Sequence, residues 1–397
     1  MEIGWTASEE KFRADVRSWL EANKPPLPMP SGDSAAGVGA HLEWERKLFD
    51  AGWAVVSWPR EYGGREASLW EWLIFEEEYF RAGLPQRVAQ NGIFLLAPSL
   101  FEFGTPEQQH RILPRMASTD DLWCQGWSEP NSGSDLASLT SRATRDEAGA
   151  GWRINGQKTW TTRGAFCTHL FGLFRPDPDA ERHRGLTYLL VDLRQPGVTV
   201  RPVRKLDGDD GFAEVFFDDA FVPDRDVLGE VDQGWSVAMA TTGSERGLTL
   251  RSPGRFNAVV ANLVASYQER SAAGRGTQIG AGQPGERAAA PLDPALRGEV
   301  ADAWMAARAY ELATWMTVTS LVDGVRPGAE SSLNKVFWSE MDIRLHETGL
   351  RLLGDEAEFE GPWMKGYQFA LAGPIYAGTN EIQRNIIAER LLGLPRK

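Results

Sequence analysis

The hydrophobic pattern changes twice along the chain, near Leu122 and near Gly229, and these changes constrain the fold more than any other feature. Before Leu122, apolar residues recur every three or four positions, which is typical of amphipathic helices. One predicted helix begins after a capping box at Thr6, and three more are predicted at residues 41–51, 69–82 and 106–116. A loop rich in Gly, Ser and Ala is predicted up to about residue 40.

Between the two changes, apolar and polar residues alternate over short segments, which is typical of strands. The predicted strands are residues 152–160, 168–174, 185–193, 198–203 and 213–217. Turn signals such as Asn155-Gly156 separate them. Short strands at this spacing predict an antiparallel sheet or a small barrel.

After Gly229 the helical spacing returns. The predicted helices are one or two within residues 231–268, followed by 294–322, 329–353 and 380–392. Residues 271–294 are rich in Gly, Ala and Arg, and we expect a mobile loop there.

Composition excludes several classes of protein. The net charge of −13 argues against nucleic acid as a partner, because phosphate binding needs a basic surface. No apolar run approaches the roughly 20 residues of a membrane helix, and no secretory signal is visible at the N-terminus. Cys124 and Cys167 form no Cys-x-x-Cys pair and the five histidines are scattered, so we expect no metal site. Two cysteines are consistent with a reducing, cytoplasmic environment.

Three short motifs have residues suited to chemistry. A turn-rich loop at residues 127–135 presents hydroxyl and backbone N–H groups, and residues 160–162 place an aromatic plane beside two hydroxyls. Residues 376–384 form a glycine turn into a helix, whose N-terminus favours an anionic group such as a pyrophosphate. Taken singly, each motif has an ordinary structural explanation: a loop, a strand end and a helix N-cap at Thr379.

Together and in this order, the motifs resemble those of the acyl-CoA dehydrogenase family over nearly the whole chain. Ser128-Glu129-Pro130 with Gly133-Ser134-Asp135 is similar to the family's Thr-Glu-Pro-x-Ala-Gly-Ser-Asp loop. Trp160-Thr161-Thr162 is similar to its Trp-Ile-Thr/Ser motif, and residues 378–384 match Gly-Thr-x-Glu-Ile-Gln-Arg at every fixed position. The resemblance implies an α+β fold with an N-terminal α-helical domain (1–122), a middle antiparallel β domain (123–229) and a C-terminal four-helix bundle (230–397).

The resemblance also implies a cofactor, a substrate and an electron acceptor. FAD is expected between the β domain and the C-terminal helices, an acyl-CoA thioester is the expected substrate, and electrons are expected to leave through an electron-transfer flavoprotein. The residues expected to bind FAD are Gln125, Trp127, Ser128, Trp160, Thr162, Arg270, Thr379 and Glu381. Ser134 and Arg246 are expected to contact the CoA part of the substrate.

The position of the catalytic base is the most informative departure from the family. Removing the weakly acidic α-proton of a thioester requires a carboxylate. Many members have a Glu directly before the Gly-Thr pair, where this chain has Ala377. One branch carries the base on an earlier helix as Glu-Arg, and Glu245-Arg246 stands at the matching place. We therefore expect Glu245 to be the base; the alternative is that Glu245 is a solvated charge, and the chain then a catalytically silent subunit.

A second departure concerns assembly. In the family an Arg-x-x-Phe-Gly arm, followed by a Gln, reaches the neighbouring subunit's FAD, and here Arg270 is retained while Ala273 replaces the Phe. This pattern resembles actinobacterial members that form unequal α2β2 tetramers with a homologous chain, several of which act on bulky steroid-like thioesters. A homotetramer is the other arrangement. A relative that uses the flavin as an oxidase or nitroalkane-type enzyme is a further alternative.

Overall fold

The structure is a computed structural model, and it describes residues 4–147, 149–177, 179–180, 182–247, 252–276, 292–325 and 328–396. For residues 243–247, 252 and 273–276 only the backbone is described. The chain divides into two compact units. The first spans Met1–Phe75 and Leu84–Leu248, and the second spans Glu76–Gly83 and Thr249–Lys397.

The N-terminal part is helical. Its helices are α1 (Ala7–Asn23), α2 (Ala35–Asp50), α3 (Leu69–Arg81), α4 (Ala97–Phe103) and α5 (Pro106–Ala117). The predicted capping box is confirmed, because the Thr6 side chain accepts a hydrogen bond from the Glu9 backbone N–H while Glu9 accepts one from the Thr6 N–H. Thr105 and Gln108 form the same arrangement at the start of α5.

One prediction for this part was wrong, and one helical stretch was missed. Helix α2 begins at Ala35 rather than at residue 41, because Ser34 acts as its N-cap and accepts a hydrogen bond from Gly37. The stretch around Pro98 is helical as well: a π-helical turn, Gly92–Leu96, runs directly into α4. A π turn shifts the hydrogen-bond pattern from i−4 to i−5, which lets the helix accommodate the proline that follows it.

The middle part consists of two four-stranded sheets whose orders are β1-β4-β5-β8 and β2-β3-β7-β6. The strands are β1 (Trp123–Gly126), β2 (Arg142–Arg145), β3 (Gly151–Thr162), β4 (His169–Phe174), β5 (Thr187–Asp192), β6 (Val198–Val203), β7 (Phe212–Pro223) and β8 (Val227–Leu228). One buried core includes Leu170 and Val191 from the first sheet and Ile154 and Val215 from the second, so the sheets pack face to face.

The sequence correctly predicted that this part consists of β-strands, but it did not predict all the strands or their arrangement. The five predicted strands are present, but β1, β2 and β8 were missed because they are only two to four residues long. Strand β1 pairs with β4 in parallel, so the part is not wholly antiparallel. The arrangement is two packed sheets rather than one sheet or a barrel.

Helix α6 (Gly234–Gly247) follows the sheets and completes the first unit. The second unit contains α7 (Ser252–Gly276), α8 (Ala295–Val322), α9 (Ser331–Leu353), α10 (Pro362–Ala370) and α11 (Asn380–Ile386). Helices α7, α8 and α9 share a buried core that includes Phe256, Tyr310 and Leu345.

Two predictions for the second unit need correction. Helix α7 continues to Gly276, so the expected loop does not begin at residue 271; residues 277–291 lie outside the described residues. Helix α10 was missed, because its nine residues are too few to establish a helical period. Among the helices that the structure describes, none combines the length and the apolar character needed to cross a bilayer.

Candidate flavin and acyl-CoA site

The turn-rich loop after β1 is held in place by Glu129. Its buried carboxylate accepts hydrogen bonds from the backbone N–H groups of Thr140 (2.6 Å) and Ser141 (2.9 Å). It also accepts one from the ammonium group of Lys158 at 2.8 Å. Because this single carboxylate ties three segments together, the loop has a defined conformation despite its Ser and Gly content.

Lys158 is the partner that connects the loop to β3. It is 0% exposed, and its Nζ also donates to the Leu173 carbonyl at 2.7 Å, so protein acceptors replace water around the ammonium group. Burial alone would raise the pKa of Glu129, but the charge of Lys158 and the hydrogen bonds lower it to about 2. The pair is therefore ionised, and it fixes the loop against the strand two residues before Trp160.

Sequence reasoning did not identify Glu129 and Lys158 as site residues. The signal was available: Lys158 occupies an inward-facing position in an alternating strand, where a charge requires a buried partner. The acidic residue of the Ser-Glu-Pro motif is the matching partner.

Trp160 presents a flat aromatic surface at the end of β3. Its side chain is 62% exposed, and its backbone has a left-handed φ of 57° at a break in the β3–β7 register. Its ring packs in a T shape with that of Phe212, with 5.8 Å between ring centroids. Thr162 lies two positions further along, is half-buried, and pairs with Phe212 in the adjacent strand.

The residues at this end of the sheets fit a flavin. Strand β1, which carries Gln125, lies at the edge of its sheet, so its outer backbone groups face away from the ladder. In the part of the chain that the structure describes, the buried indole nitrogen of Trp127 and the buried hydroxyl of Thr161 have no hydrogen-bond partner. An aromatic surface, an edge strand and unpaired polar atoms together suit a planar group rich in hydrogen-bond acceptors. Ser128 is half-buried in the same loop.

A chain of contacts connects the 127–135 loop with α6. The rings of Trp127 and buried Tyr188 pack in a T shape, with 6.3 Å between centroids, and the Tyr188 hydroxyl lies 3.3 Å from Thr241 Oγ1. Thr241 Oγ1 also lies 2.7 Å from Ser99 Oγ and donates to the Val237 carbonyl. Because a hydroxyl has one hydrogen, the hydroxyls of Ser99 and Tyr188 act as donors toward Thr241.

This network fixes the helix that carries the predicted base. Glu245 lies four residues after Thr241 in α6, one helical turn or about 6 Å along the axis. The side chains of Glu245 and Arg246 lie outside the described residues. Ser134, the other predicted substrate-binding residue, is exposed at the far end of the 127–135 loop.

The second unit holds the C-terminal motif. Ala377 and Gly378 both have left-handed backbones, with φ of 56° and 78°, and form a tight turn before α11. Thr379 is the N-cap of α11, and its hydroxyl accepts a hydrogen bond from the Ile382 N–H at 3.2 Å. Glu381 is exposed in the first helical turn, where its own backbone N–H and the Thr379 side chain lower the pKa of its carboxyl.

The remaining predicted residue, Arg270, lies in α7 and forms an ion pair with Glu356 at 2.6 Å within the second unit. The first unit therefore contains five of the residues predicted to bind FAD: Gln125, Trp127, Ser128, Trp160 and Thr162. The second unit contains the other three: Arg270, Thr379 and Glu381. Across the described residues, no cluster of three or more His, Cys, Asp or Glu side chains is placed to hold a metal ion.

Comparison with known proteins gives three matches to one family. The N-terminal, middle and C-terminal domains of acyl-CoA dehydrogenase match residues 6–120, 124–220 and 232–392 respectively. The chain is 40% identical to the acyl-CoA dehydrogenase IpdE1 of Mycolicibacterium smegmatis, with 98% of each chain covered.

Solved structures have the same architecture. The steroid ACAD Tcur3481-Tcur3483 matches with a TM-score of 0.83 at 25% identity. The ChsE4-ChsE5 complex from Mycobacterium tuberculosis matches with a TM-score of 0.80 at 28% identity. Each match covers 100% of this chain and 100% of the matched chain. The family's enzymes are FAD-dependent oxidoreductases, and the edge strand and exposed Trp160 described above suit that cofactor. This chain belongs to the acyl-CoA dehydrogenase family.

Proposed function

We propose that this chain removes hydrogen from the α and β carbons of a bulky acyl-CoA thioester, giving the trans-2-enoyl-CoA, and that Glu245 is the base. The likeness to a protein named as a steroid ACAD favours a large, ring-containing acyl group. The observation that carries the proposal is that residue 377 is an alanine, while α6, anchored at Thr241, carries Glu245.

The proposed reaction divides between the base and the cofactor. The carboxylate of Glu245 takes the α-proton, and the electron pair left on the α-carbon forms the new double bond as the β-hydrogen departs. Bound FAD supplies the acceptor for that hydride. Trp160 and Thr162 would support the flavin ring, and hydrogen bonds to the ring would come from Gln125, Trp127 and Ser128. The CoA part of the substrate would be held by Ser134 and Arg246.

Thr379 and Glu381 are proposed to lie near the dinucleotide part of FAD. The hydroxyl of Thr379 caps α11, and the left-handed turn at Ala377 and Gly378 sets the direction in which the helix begins. The three-domain division at residues 122 and 229 is also part of the proposal.

We further propose that the chain assembles with a homologous chain into an α2β2 tetramer. Several large apolar side chains on α8 are exposed in the single chain, among them Trp304 (55%) and Met316 (58%). This exposed apolar surface supports the proposal that α8 takes part in an interface between chains. Arg270 bonds to Glu356 and is followed by Ala273 rather than Phe, which supports a partner that supplies the intact arm. A homotetramer is the alternative assembly.

An electron-transfer flavoprotein in the cytoplasm is the proposed electron acceptor. A second candidate function follows if Glu245 is a solvated charge and not the base: the chain is then a structural subunit without catalysis. A flavin oxidase is a third candidate, and rapid reoxidation of the reduced flavin by O2 would favour it.

The flavin spectrum of the purified chain, alone and co-purified with its homologous partner, tests the proposal. We expect anaerobic addition of a ring-containing acyl-CoA to bleach the flavin band, and octanoyl-CoA to bleach it less. A flavin that no acyl-CoA reduces, in either preparation, would leave the structural-subunit candidate.

A further inference from the structure

A buried lysine in the second unit has fewer hydrogen-bond acceptors than its burial requires. Lys335 lies in α9 and is 6% exposed. Its Nζ donates to the side-chain oxygen of Asn380 at 2.9 Å, and among the residues that the structure describes it has no other acceptor and no carboxylate partner. Because an ammonium group has three N–H donors, two of them are unused.

The other buried lysine of the described chain shows what a complete set of acceptors looks like. Lys158 has three acceptors for its three donors. They are the Glu129 carboxylate at 2.8 Å and the backbone carbonyls of Leu173 and Trp127 at 2.7 and 3.5 Å. Lys335 has one neutral amide oxygen instead. A buried cation without such acceptors is costly, so its position suits an anionic ligand that supplies them.

The electrostatics of Lys335 agree with the lack of an ion-pair partner. Burial lowers the pKa of Lys335 to about 8; of the charged groups that act on it, the Glu381 carboxylate opposes the decrease and the Arg384 guanidinium adds to it. On α9 itself, Glu340 pairs with Arg384 and accepts a hydrogen bond from the Asn380 amide. Near pH 7 Lys335 is therefore mostly protonated, and no contacting carboxylate of the described chain neutralises its charge.

Lys335 lies directly beside the C-terminal motif. Asn380 is the buried first residue of α11 and follows the N-cap residue Thr379. Its side-chain oxygen accepts hydrogen bonds from Lys335 and, at 3.1 Å, from Ser339 Oγ. Two side chains of α9 therefore fix the start of α11, and the ammonium group contacts the residue next to Thr379.

The turn that precedes α11 is held from its other side. Gln383 Nε2 donates to the Ala377 carbonyl at 3.0 Å. A Cβ atom at Gly378 would lie 2.6 Å from the same Nε2, so the turn packs closely against Gln383 and has room only for glycine there. The turn and the Lys335 ammonium group are thus fixed before any ligand binds, which lowers the entropic cost of binding one.

We infer that the Lys335 ammonium group binds the diphosphate of FAD through its two unused N–H donors. The inference rests on the proposed function, in which Thr379 and Glu381 lie near the dinucleotide. It deepens that proposal, because it names the charged group that contacts the phosphates. A diphosphate has the negative charge and the acceptor oxygens that the surroundings of Lys335 lack, and lysine binds phosphate as a point charge.

Fluorescence titration of the FAD-free protein with FAD tests the inference, with the chain alone or co-purified with its homologous partner, whichever binds FAD more fully. Lys335→Met removes the charge at similar volume and should weaken FAD binding about 10- to 100-fold at pH 7. ADP, which has the diphosphate without the flavin, should lose its ability to compete with FAD by a similar factor. Arg344→Met, at an exposed position of the same helix, is the matched control and should change neither affinity.

The pH dependence distinguishes a bound anion from a purely structural lysine. Because an anion favours the protonated form of Lys335, the FAD affinity of the wild type should fall as the pH rises above about 8, by up to about tenfold per pH unit. Lys335→Met should show no such fall, and Lys335→Arg, which stays charged, should retain FAD affinity at pH 9. The wild-type profile needs no variant and remains informative if a variant does not fold.

The outcomes separate this inference from the proposed function, because none of these titrations contains an acyl-CoA. An FAD affinity that neither Lys335→Met nor a rise from pH 7 to 9 changes overturns the inference and leaves the dehydrogenase intact. A Lys335-dependent affinity in a protein whose flavin no acyl-CoA reduces supports the inference and refutes the dehydrogenase. A loss of affinity in Lys335→Met that is the same at pH 7 and 9 would mean that Lys335 acts through packing alone, which also overturns the inference.

Discussion

At the scale of single residues, Glu129 and Lys158 form a buried ion pair in the candidate site. The pair ties the 127–135 loop to β3 through the Lys158 hydrogen bond of 2.8 Å, and Glu129 also accepts hydrogen bonds from the backbone of Thr140 and Ser141 at 2.6 and 2.9 Å. A buried ion pair of this kind stabilises mainly by avoiding an unpaired charge, so removing either partner is costly. Its contribution is visible as a dependence of stability on pH.

The pH dependence has a definite sign. The pKa of Glu129 falls from its usual 4.5 to about 2 on folding, so the folded protein holds fewer protons than the unfolded chain between these values. The carboxylate therefore contributes about 3 kcal/mol above pH 4.5, and this contribution is lost as the pH falls toward 2.

Comparison with Glu129→Gln isolates that contribution. The difference in urea unfolding free energy between wild type and variant should be largest at pH 6 and should shrink by about 3 kcal/mol as the pH approaches 2. A difference that stays constant over this interval would mean that Glu129 is not held ionised by Lys158.

At the scale of elements, the packing of α6 on β5 and α4 depends on one hydroxyl. Thr241→Val keeps the shape of the side chain and leaves the hydroxyls of Ser99 and Tyr188 without their acceptor, at a cost of about 1–3 kcal/mol. Because α6 carries the proposed base, we expect the variant to lower kcat more than it raises KM. Thr241→Ser should restore kcat; a kcat that neither variant changes would show that the network does not position α6.

The N-cap of α11 gives a second prediction at this scale. Thr379→Ala should lower stability by about 1 kcal/mol and weaken FAD binding about fivefold, because the cap and the helix start are lost together. Thr6→Ala removes an equivalent cap from α1 and should lower stability without changing FAD affinity. Equal FAD affinities in the two variants would separate Thr379 from the cofactor.

The elements that sequence predicted are those with a long, unbroken period. Helices α8 and α9 and strands β4 and β5 have such periods and were placed closely. The π turn before α4 was missed because Pro98 interrupts the pattern, and only a shift in hydrogen bonding accommodates it. The ion pair of Glu129 and Lys158 was missed for a different reason: the two residues lie 29 positions apart and meet only in the folded sheet.

At the scale of the whole molecule, the order of helical, β and helical parts was predictable from the two changes of hydrophobic pattern, and the family comparisons confirm it. The packing of the β part into two sheets was not predictable from the sequence. The period of a single strand does not show which strands pair with each other, or that β1 and β4 pair in parallel. The assignments of individual site residues stay predictions.

Assembly is the prediction that belongs to the complete molecule. We expect the chain expressed alone to bind less than one FAD per chain. Co-expression with its homologous partner should raise the FAD content to one FAD for each site that the two chains complete together. Light scattering and the ratio of flavin to protein absorbance measure both quantities. Full FAD occupancy in a homotetramer of this chain alone would contradict the α2β2 proposal and favour the alternative assembly.

The central claim is that Glu245 removes the α-proton, and rapid anaerobic mixing of the flavin-loaded enzyme with a ring-containing acyl-CoA tests it most directly. In Glu245→Gln, flavin reduction should slow by about 100- to 10,000-fold while the oxidised flavin spectrum is unchanged, since an amide cannot accept the proton. Glu21→Gln, at an exposed glutamate of α1, should reduce at the wild-type rate. Near-normal flavin reduction in Glu245→Gln would contradict the account and require another base.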